Sequence, residues 1–206
     1  APFTLAAKGG HNGESHNHND VGTFLLYRGG NPVVIDIGSG AYTARTFSPR
    51  RYELFNNASA YHCCPIINGV EQGSGTACRS AFASFAEQGS RVIFRLDLAS
   101  AYPAEAGVQK WERCFELDRQ KNELKVTESY RLQEAVELQL PLMTAAEPQP
   151  MGEGRLRLGL EGASVVLCYP AREVSVRWEK LEDTGPPIET TGWKGFGIWR
   201  VLLRLT

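Results

Sequence analysis

The sequence predicts an all-β domain, an antiparallel multi-stranded β-sandwich. From residue 80 onwards, short segments alternate apolar with polar residues or are rich in β-branched side chains, and Gly, Pro, Asn and Asp clusters separate them. No long stretch repeats its apolar residues every 3.6 positions, as an amphipathic helix requires. The alternation indicates antiparallel sheets that are wet on one face.

The predicted strands begin near the N-terminus. Apolar residues 21–27 and 32–37 flank the turn-forming run Arg28-Gly29-Gly30-Asn31, which is typical of a β-hairpin. Residues 38–57 show little regular pattern and predict a loop excursion, and residues 58–72 predict a short strand that carries His62 and an Asn68-Gly69 turn. Further strands are predicted within 90–99, 110–119, 122–132, 136–143, 155–160, 164–170, 173–181 and 197–205.

Length and composition predict one domain over residues 1–206. A net charge of −1, from 22 basic and 23 acidic residues, offers no basic footprint for nucleic acid. No apolar run approaches the length of a membrane span. The 5 cysteines have no CxxC spacing, so we expect free thiols, which favours a cytoplasmic over a periplasmic location.

All 4 histidines, His11, His16, His18 and His62, lie in the first 62 residues. Such crowding of a metal-binding, titratable side chain is not expected from packing alone. His16 and His18 alternate as neighbours on one face of an extended strand would. We therefore expect the functional site in this segment.

Two ligand triads are compatible with the spacing. Asp36 interrupts the apolar run VVIDI, where a carboxylate is costly unless it is paired or bound to a metal. His18, Asp36 and His62 then form a two-imidazole, one-carboxylate set of the kind that binds zinc with one open position. His18, Asp20 and His62 instead match the H-x-D…H pattern of non-haem iron oxygenases. A hydrogen-bonded polar network without a metal is the third interpretation.

The first third of the chain carries three ordered motifs: HNHNDVGTF at 16–24, VIDIG at 34–38, and SAYH at 59–62 continuing to INGV at 67–70. Together they resemble the motifs of the heparinase II/III-like polysaccharide lyases. It implies a bacterial enzyme in which an N-terminal toroid of α-helices precedes a β-sandwich. By this resemblance the chain is the sandwich, the C-terminal part of a larger lyase.

The resemblance also implies roles for individual residues. His18, Asp36 and His62 are expected to hold zinc, and His16 to face the substrate cleft and take part in catalysis. Tyr52 is the nearer candidate for a catalytic tyrosine, while Tyr42, His11 and Asn17 are candidates for substrate binding. The general base is expected in the helical domain, outside this chain.

The implied reaction is β-elimination on a glycan that contains uronic acid, of the heparin, heparan sulfate or alginate kind. The expected partners are therefore an acidic polysaccharide and the helical domain, with neither nucleic acid nor membrane. A non-catalytic glycan-binding module is the other alternative beside the oxygenase.

Overall fold

The computed structural model describes residues 1–134, 137–181, 193 and 197–205. In these residues the regular structure consists of β-strands and short 3-10 helices. The strands are β1 (Phe3–Ala7), β2 (His11–Asn12), β3 (Phe24–Arg28), β4 (Asn31–Val34), β5 (Ile66–Ile67), β6 (Gly75–Arg79), β7 (Phe82–Gln88), β8 (Arg91–Asp97), β9 (Val108–Asp118), β10 (Glu123–Leu132), β11 (Leu138–Thr144), β12 (Gln149–Pro150), β13 (Arg155–Leu158), β14 (Val165–Cys168), β15 (Val174–Lys180) and β16 (Trp199–Leu205). The 3-10 helices are Pro49–Glu53, Phe55–Asn57, Ser59–Tyr61, Ala99–Ala101 and Ala104–Ala106.

The strands form antiparallel sheets. The two largest have four strands each, in the orders β10-β9-β8-β7 and β15-β16-β11-β5. Smaller sheets have the orders β1-β3-β4, β12-β13-β14 and β2-β6. The predicted hairpin is confirmed, because β3 pairs antiparallel with β4 and Leu26 lies opposite Val34.

One apolar core joins four of these sheets, all but β2-β6. It includes Val34 of β4, Leu96 of β8, Phe115 of β9, Leu156 of β13 and Val201 of β16, all nearly inaccessible to solvent. Alternate residues of a strand point to the same side of its sheet. Burying the core-facing residues of these strands together therefore packs the sheets face to face. The predicted all-β, antiparallel sandwich is confirmed.

A buried ion pair ties the β10-β9-β8-β7 sheet to the histidine-bearing segments. Arg113 of β9 donates from Nε to Glu128 of β10 over 2.6 Å, and its side chain is only 3% exposed. Its Nη1 donates to the backbone carbonyls of Gly22 and Cys63. These carbonyls lie just after the loop that carries His18 and directly after His62, so a single guanidinium holds both segments.

The cysteines are free, as expected: Cys63, Cys64 and Cys114 are buried, Cys78 is half-buried and Cys168 is exposed. Within the described residues, no helix has the length and apolar character needed to cross a membrane.

Candidate metal centre

His18 lies in a loop that buried amide side chains hold in place. Asn12, fully buried on β2, accepts a hydrogen bond from the Asp20 backbone N–H and donates to Gln72. Gln72 in turn accepts from the Val21 backbone N–H and donates to the Val21 carbonyl. Because these amides satisfy the backbone groups of a chain that has no strand partner here, the loop is fixed without regular structure.

Asp36 lies just beyond the end of β4, between Ile35 and Ile37, which are both 0% exposed. The Ile35 N–H donates to the Met143 carbonyl over 2.9 Å, which keeps the chain extended against β11. The alternation of an extended chain then turns Asp36 away from the apolar cluster formed by its two neighbours. The Gly38 N–H donates to Asp36 Oδ1 over 2.8 Å.

His62 is fully buried and directly follows the 3-10 helix Ser59–Tyr61. Its Nδ1 lies 2.7 Å from Asp36 Oδ2, and its Nε2 lies 3.1 Å from the Asn56 carbonyl oxygen. Both neighbours are hydrogen-bond acceptors, which favours a ring that is protonated on both nitrogens when no metal is bound. Burial disfavours this charged form, but the charge of Asp36 and its hydrogen bond outweigh burial and raise the pKa of His62.

His18 completes the cluster. One ligand atom from each of His18, Asp36 and His62 lies within 4.8 Å of the other two. In the part of the chain that the structure describes, no other group of three His, Cys, Asp or Glu side chains brings its ligand atoms this close. The rings of His18 and His62 lie 5.2 Å apart between centroids.

The charges in this cluster suit a cation. Burial and the neighbouring His62 charge lower the pKa of His18 to about 4, which leaves its imidazole neutral with a free lone pair. Burial opposes ionisation of Asp36, but the His62 charge and hydrogen bond lower its pKa to about 2. The cluster therefore offers one neutral imidazole, one carboxylate and one imidazole whose Nδ1 proton a metal ion can replace.

The donor set also fits zinc in geometry. Two ligands of a tetrahedral zinc lie about 3.3 Å apart, so the present separations need only small side-chain adjustments. Histidines that bind metals usually donate their other ring N–H to a carbonyl or carboxylate, and His62 Nε2 already faces the Asn56 carbonyl.

Asp20, the carboxylate of the alternative iron triad, has a different partner. It forms an ion pair with Lys8 and belongs to no potential metal-binding group of the described chain. The geometry therefore favours Asp36 over Asp20 as the third ligand.

The expected strand arrangement around the histidines is wrong. His16 and His18 lie in a loop, and His16 has φ +59°, so the two side chains do not share a strand face. His62 likewise follows a 3-10 helix and lies in no strand. A left-handed backbone is unfavourable for histidine and persists only where its surroundings impose it, as at many functional sites.

The other candidate residues make different contacts. The Tyr52 hydroxyl donates to Asn17 Oδ1 over 3.0 Å, and Asn17 donates to the His18 carbonyl over 3.1 Å. His16 is exposed and its ring packs 5.8 Å from that of Tyr42. His11 Nδ1 accepts the Gly13 N–H.

The sequence interpretation missed three contributors to the site. Asn56 acts through its backbone carbonyl, which any residue offers, so its identity gave no signal. Arg113 occupies an alternating strand whose charged residues normally face water. Phe47, whose ring lies 6.3 Å from that of His16, was detectable as an apolar aromatic residue in the same polar loop as Tyr42.

The model of the heparinase II/III-like C-terminal domain matches residues 2–184. The chain belongs to the heparinase II/III-like family. A comparison with curated proteins gives no match.

The family's fold recurs in solved lyases. The chain resembles a mutant of the heparan sulfate lyase HepC from Pedobacter heparinus at 13% identity and a TM-score of 0.74, over 99% of this chain and 31% of that one. The HepC structure without the mutation gives 13% identity and a TM-score of 0.73, over 98% and 30%. A heparinase III with methylated lysines gives 13% identity and a TM-score of 0.68, over 98% and 32%. The chain thus spans about a third of the length of these lyases.

Proposed function

We propose that this chain is the zinc-binding half of a polysaccharide lyase active site, and that the complete enzyme cleaves uronic-acid-containing glycans by β-elimination. The observation that carries the proposal is the convergence of His18, Asp36 and His62, within 4.8 Å, two residues along the chain from the exposed His16. Membership of the heparinase II/III-like family supports the reaction class.

His18, Asp36 and His62 would hold the metal, in place of the proton between His62 and Asp36. When bound, zinc supplies a fixed positive charge that ties three separate chain segments together. We assign it an organising role, because the residue offered to solvent is His16, two positions from His18.

In the proposed reaction a base removes the proton at C5 of the uronic acid, next to the carboxylate. The C4–oxygen bond then breaks, a C4–C5 double bond forms, and the leaving oxygen takes a proton. Negative charge builds on the sugar carboxylate in the transition state, and a fixed donor placed there lowers the barrier. His16 is our candidate for that donor.

Tyr52 and Asn17 support the same loop. Because the Tyr52 hydroxyl donates to Asn17, which donates to the His18 carbonyl, the pair links the Pro49–Glu53 helix to the zinc-binding loop. The general base is proposed to come from the helical N-terminal domain of the parent enzyme, whose cleft this chain completes.

The parent enzyme tests the proposal. Incubation with heparan sulfate, heparin and alginate should release unsaturated uronates, detected by their ultraviolet absorbance, from at least one of these glycans. His16→Ala should lower kcat by roughly 10²- to 10⁴-fold, the usual contribution of a positioned acid or base, and leave the bound zinc in place. Binding of these glycans without any unsaturated product would instead identify a glycan-binding module.

A further inference from the structure

Two aromatic side chains lie exposed beside His16. Tyr42 is 61% exposed and Phe47 is 68% exposed, although large apolar side chains elsewhere in the described chain mostly lie in the core. Their ring centroids are 5.5 Å apart, and each ring also packs near the His16 imidazole, at 5.8 and 6.3 Å. The three rings therefore form one continuous aromatic surface.

A closed turn places these two side chains together. The Thr46 N–H donates to the Thr43 carbonyl over 3.0 Å, which brings positions 43 and 46 close and sets the flanking Tyr42 and Phe47 side by side. Thr46 is buried, and its Oγ1 accepts the Thr43 N–H over 3.0 Å. The turn is anchored from inside, so the exposed rings are held in place by the backbone.

The same turn presents a cation. Arg45 is exposed, and no hydrogen bond or ion pair joins its guanidinium to another residue that the structure describes. Its neighbour Arg50 is paired with Glu53, and Arg51 donates to the Asn17 carbonyl. Arg45 has no such partner, and although its charge adds to the Arg50 hydrogen bond in lowering the pKa of Glu53, its guanidinium donors can meet a carboxylate or sulfate.

We infer that Tyr42 and Phe47 form a stacking platform for a pyranose ring of an acidic glycan, with Arg45 pairing with the charged group of that or the adjacent sugar. The inference rests on the proposed function and adds a binding subsite to it. A sugar presents a face of C–H groups, which packs on aromatic rings, and a rim of hydroxyls that stays in water. The platform therefore extends the site from His16 to a neighbouring sugar of the chain.

A glycan suits this surface better than a protein partner. The platform is small, it is continuous with the proposed catalytic histidine, and its free charge is positive, as an anionic sugar requires. A protein interface needs a larger apolar centre surrounded by polar residues.

The test is calorimetric titration of the chain with a heparan sulfate hexasaccharide and with an alginate hexauronate. Phe47→Ala and Tyr42→Ala should each weaken binding by roughly 2- to 12-fold, as the loss of one aromatic contact does. Phe47→Tyr should bind with wild-type affinity, because it keeps an aromatic ring at this position. Phe85→Ala is the matched control, since Phe85 is 66% exposed on β7, and it should leave affinity unchanged.

Salt separates the two parts of the platform. Arg45→Gln should weaken binding at low salt and reduce its salt dependence, whereas Phe47→Ala should leave the salt dependence unchanged.

Sedimentation of wild type and Phe47→Ala at the same concentrations checks for self-association. A wild-type dimer that the substitution dissociates would assign the platform to a second copy of the chain and overturn the inference.

The outcomes distinguish the platform from the proposed function. Equal affinity of wild type and Phe47→Ala, an equal loss in Phe85→Ala, or no glycan binding by wild type each overturns the platform, whatever the parent enzyme's activity. Phe47-dependent binding supports the platform even when the parent enzyme forms no unsaturated product, and in that case only the proposed reaction fails.

Discussion

Replacing Asp36 with asparagine tests the cluster in two ways. In the metal-free protein, prepared with a chelator, the substitution removes the carboxylate that lies 2.7 Å from the buried His62 Nδ1. The fall of the Asp36 pKa from 3.8 to about 2 corresponds to about 2 kcal/mol of stabilisation. Breaking a buried pair costs up to about 5 kcal/mol where the remaining charge stays buried. We therefore expect Asp36→Asn to lower the metal-free free energy of unfolding by about 2–5 kcal/mol.

The pH dependence of this loss follows from the direction of the Asp36 shift. Because the pKa of the folded state lies below the unfolded value of 3.8, the stabilisation is complete above that value and disappears as the pH falls through about 2. Urea unfolding in chelator should therefore separate wild type from Asp36→Asn most clearly between pH 3.8 and 6.5, the ordinary values of the two partners.

Zinc gives the second measurement. At a free zinc concentration about 100 times the wild-type Kd, binding adds about 2.7 kcal/mol to the unfolding free energy. If loss of the ligand weakens affinity by about 100-fold, the same concentration adds only about 0.4 kcal/mol to Asp36→Asn. Asp20→Asn is the matched control, because it removes a carboxylate of the same loop that pairs with Lys8. Zinc should still add the full amount to the unfolding free energy of Asp20→Asn, a gain called the zinc increment below. The reverse result, with the increment lost in Asp20→Asn and kept in Asp36→Asn, would refute the assignment of ligands.

Three further substitutions test the supports of the site by urea unfolding. Arg113→Ala should lower the free energy of unfolding by about 3–5 kcal/mol, because it leaves Glu128 buried without its partner. A loss below about 1 kcal/mol would show that the ion pair does not join the sheet to the loop. Gly22→Ala should cost about 1–3 kcal/mol more than Gly30→Ala. Both glycines have positive φ, but the new methyl group at Gly22 would meet a buried leucine 2.6 Å away, whereas nothing lies within 4 Å at Gly30; equal costs would contradict the close packing. Tyr52→Phe should cost about 1 kcal/mol for one lost hydrogen bond and keep the zinc increment; loss of that increment would mean that the hydroxyl acts on the metal site.

The strands could be predicted because their signals are local. Alternation in β13 and β15 records which residues face the core, and the Gly29-Gly30 turn determines the β3–β4 hairpin. Asp36 stood out because a carboxylate in an apolar run needs a reason. The structure supplies one, since the alternation between Ile35 and Ile37 turns Asp36 away from the core.

The shape of the loops could not be predicted from such local patterns. The two-residue spacing of His16 and His18 suggests a strand, but the amides of Asn12 and of the distant Gln72 bind the backbone of the loop and replace strand pairing. The burial of Arg113 could likewise not be predicted, because its partner Glu128 and the carbonyls it binds come together only in the folded chain.

The most direct test of the central claim is a crystal structure grown with zinc, with anomalous data collected on both sides of the zinc absorption edge. We expect one zinc per chain, bound by His18, Asp36 and His62, with His62 Nε2 still donating to the Asn56 carbonyl. A zinc site that includes Asp20 in place of Asp36, or no anomalous peak between the three side chains at saturating zinc, would contradict the account.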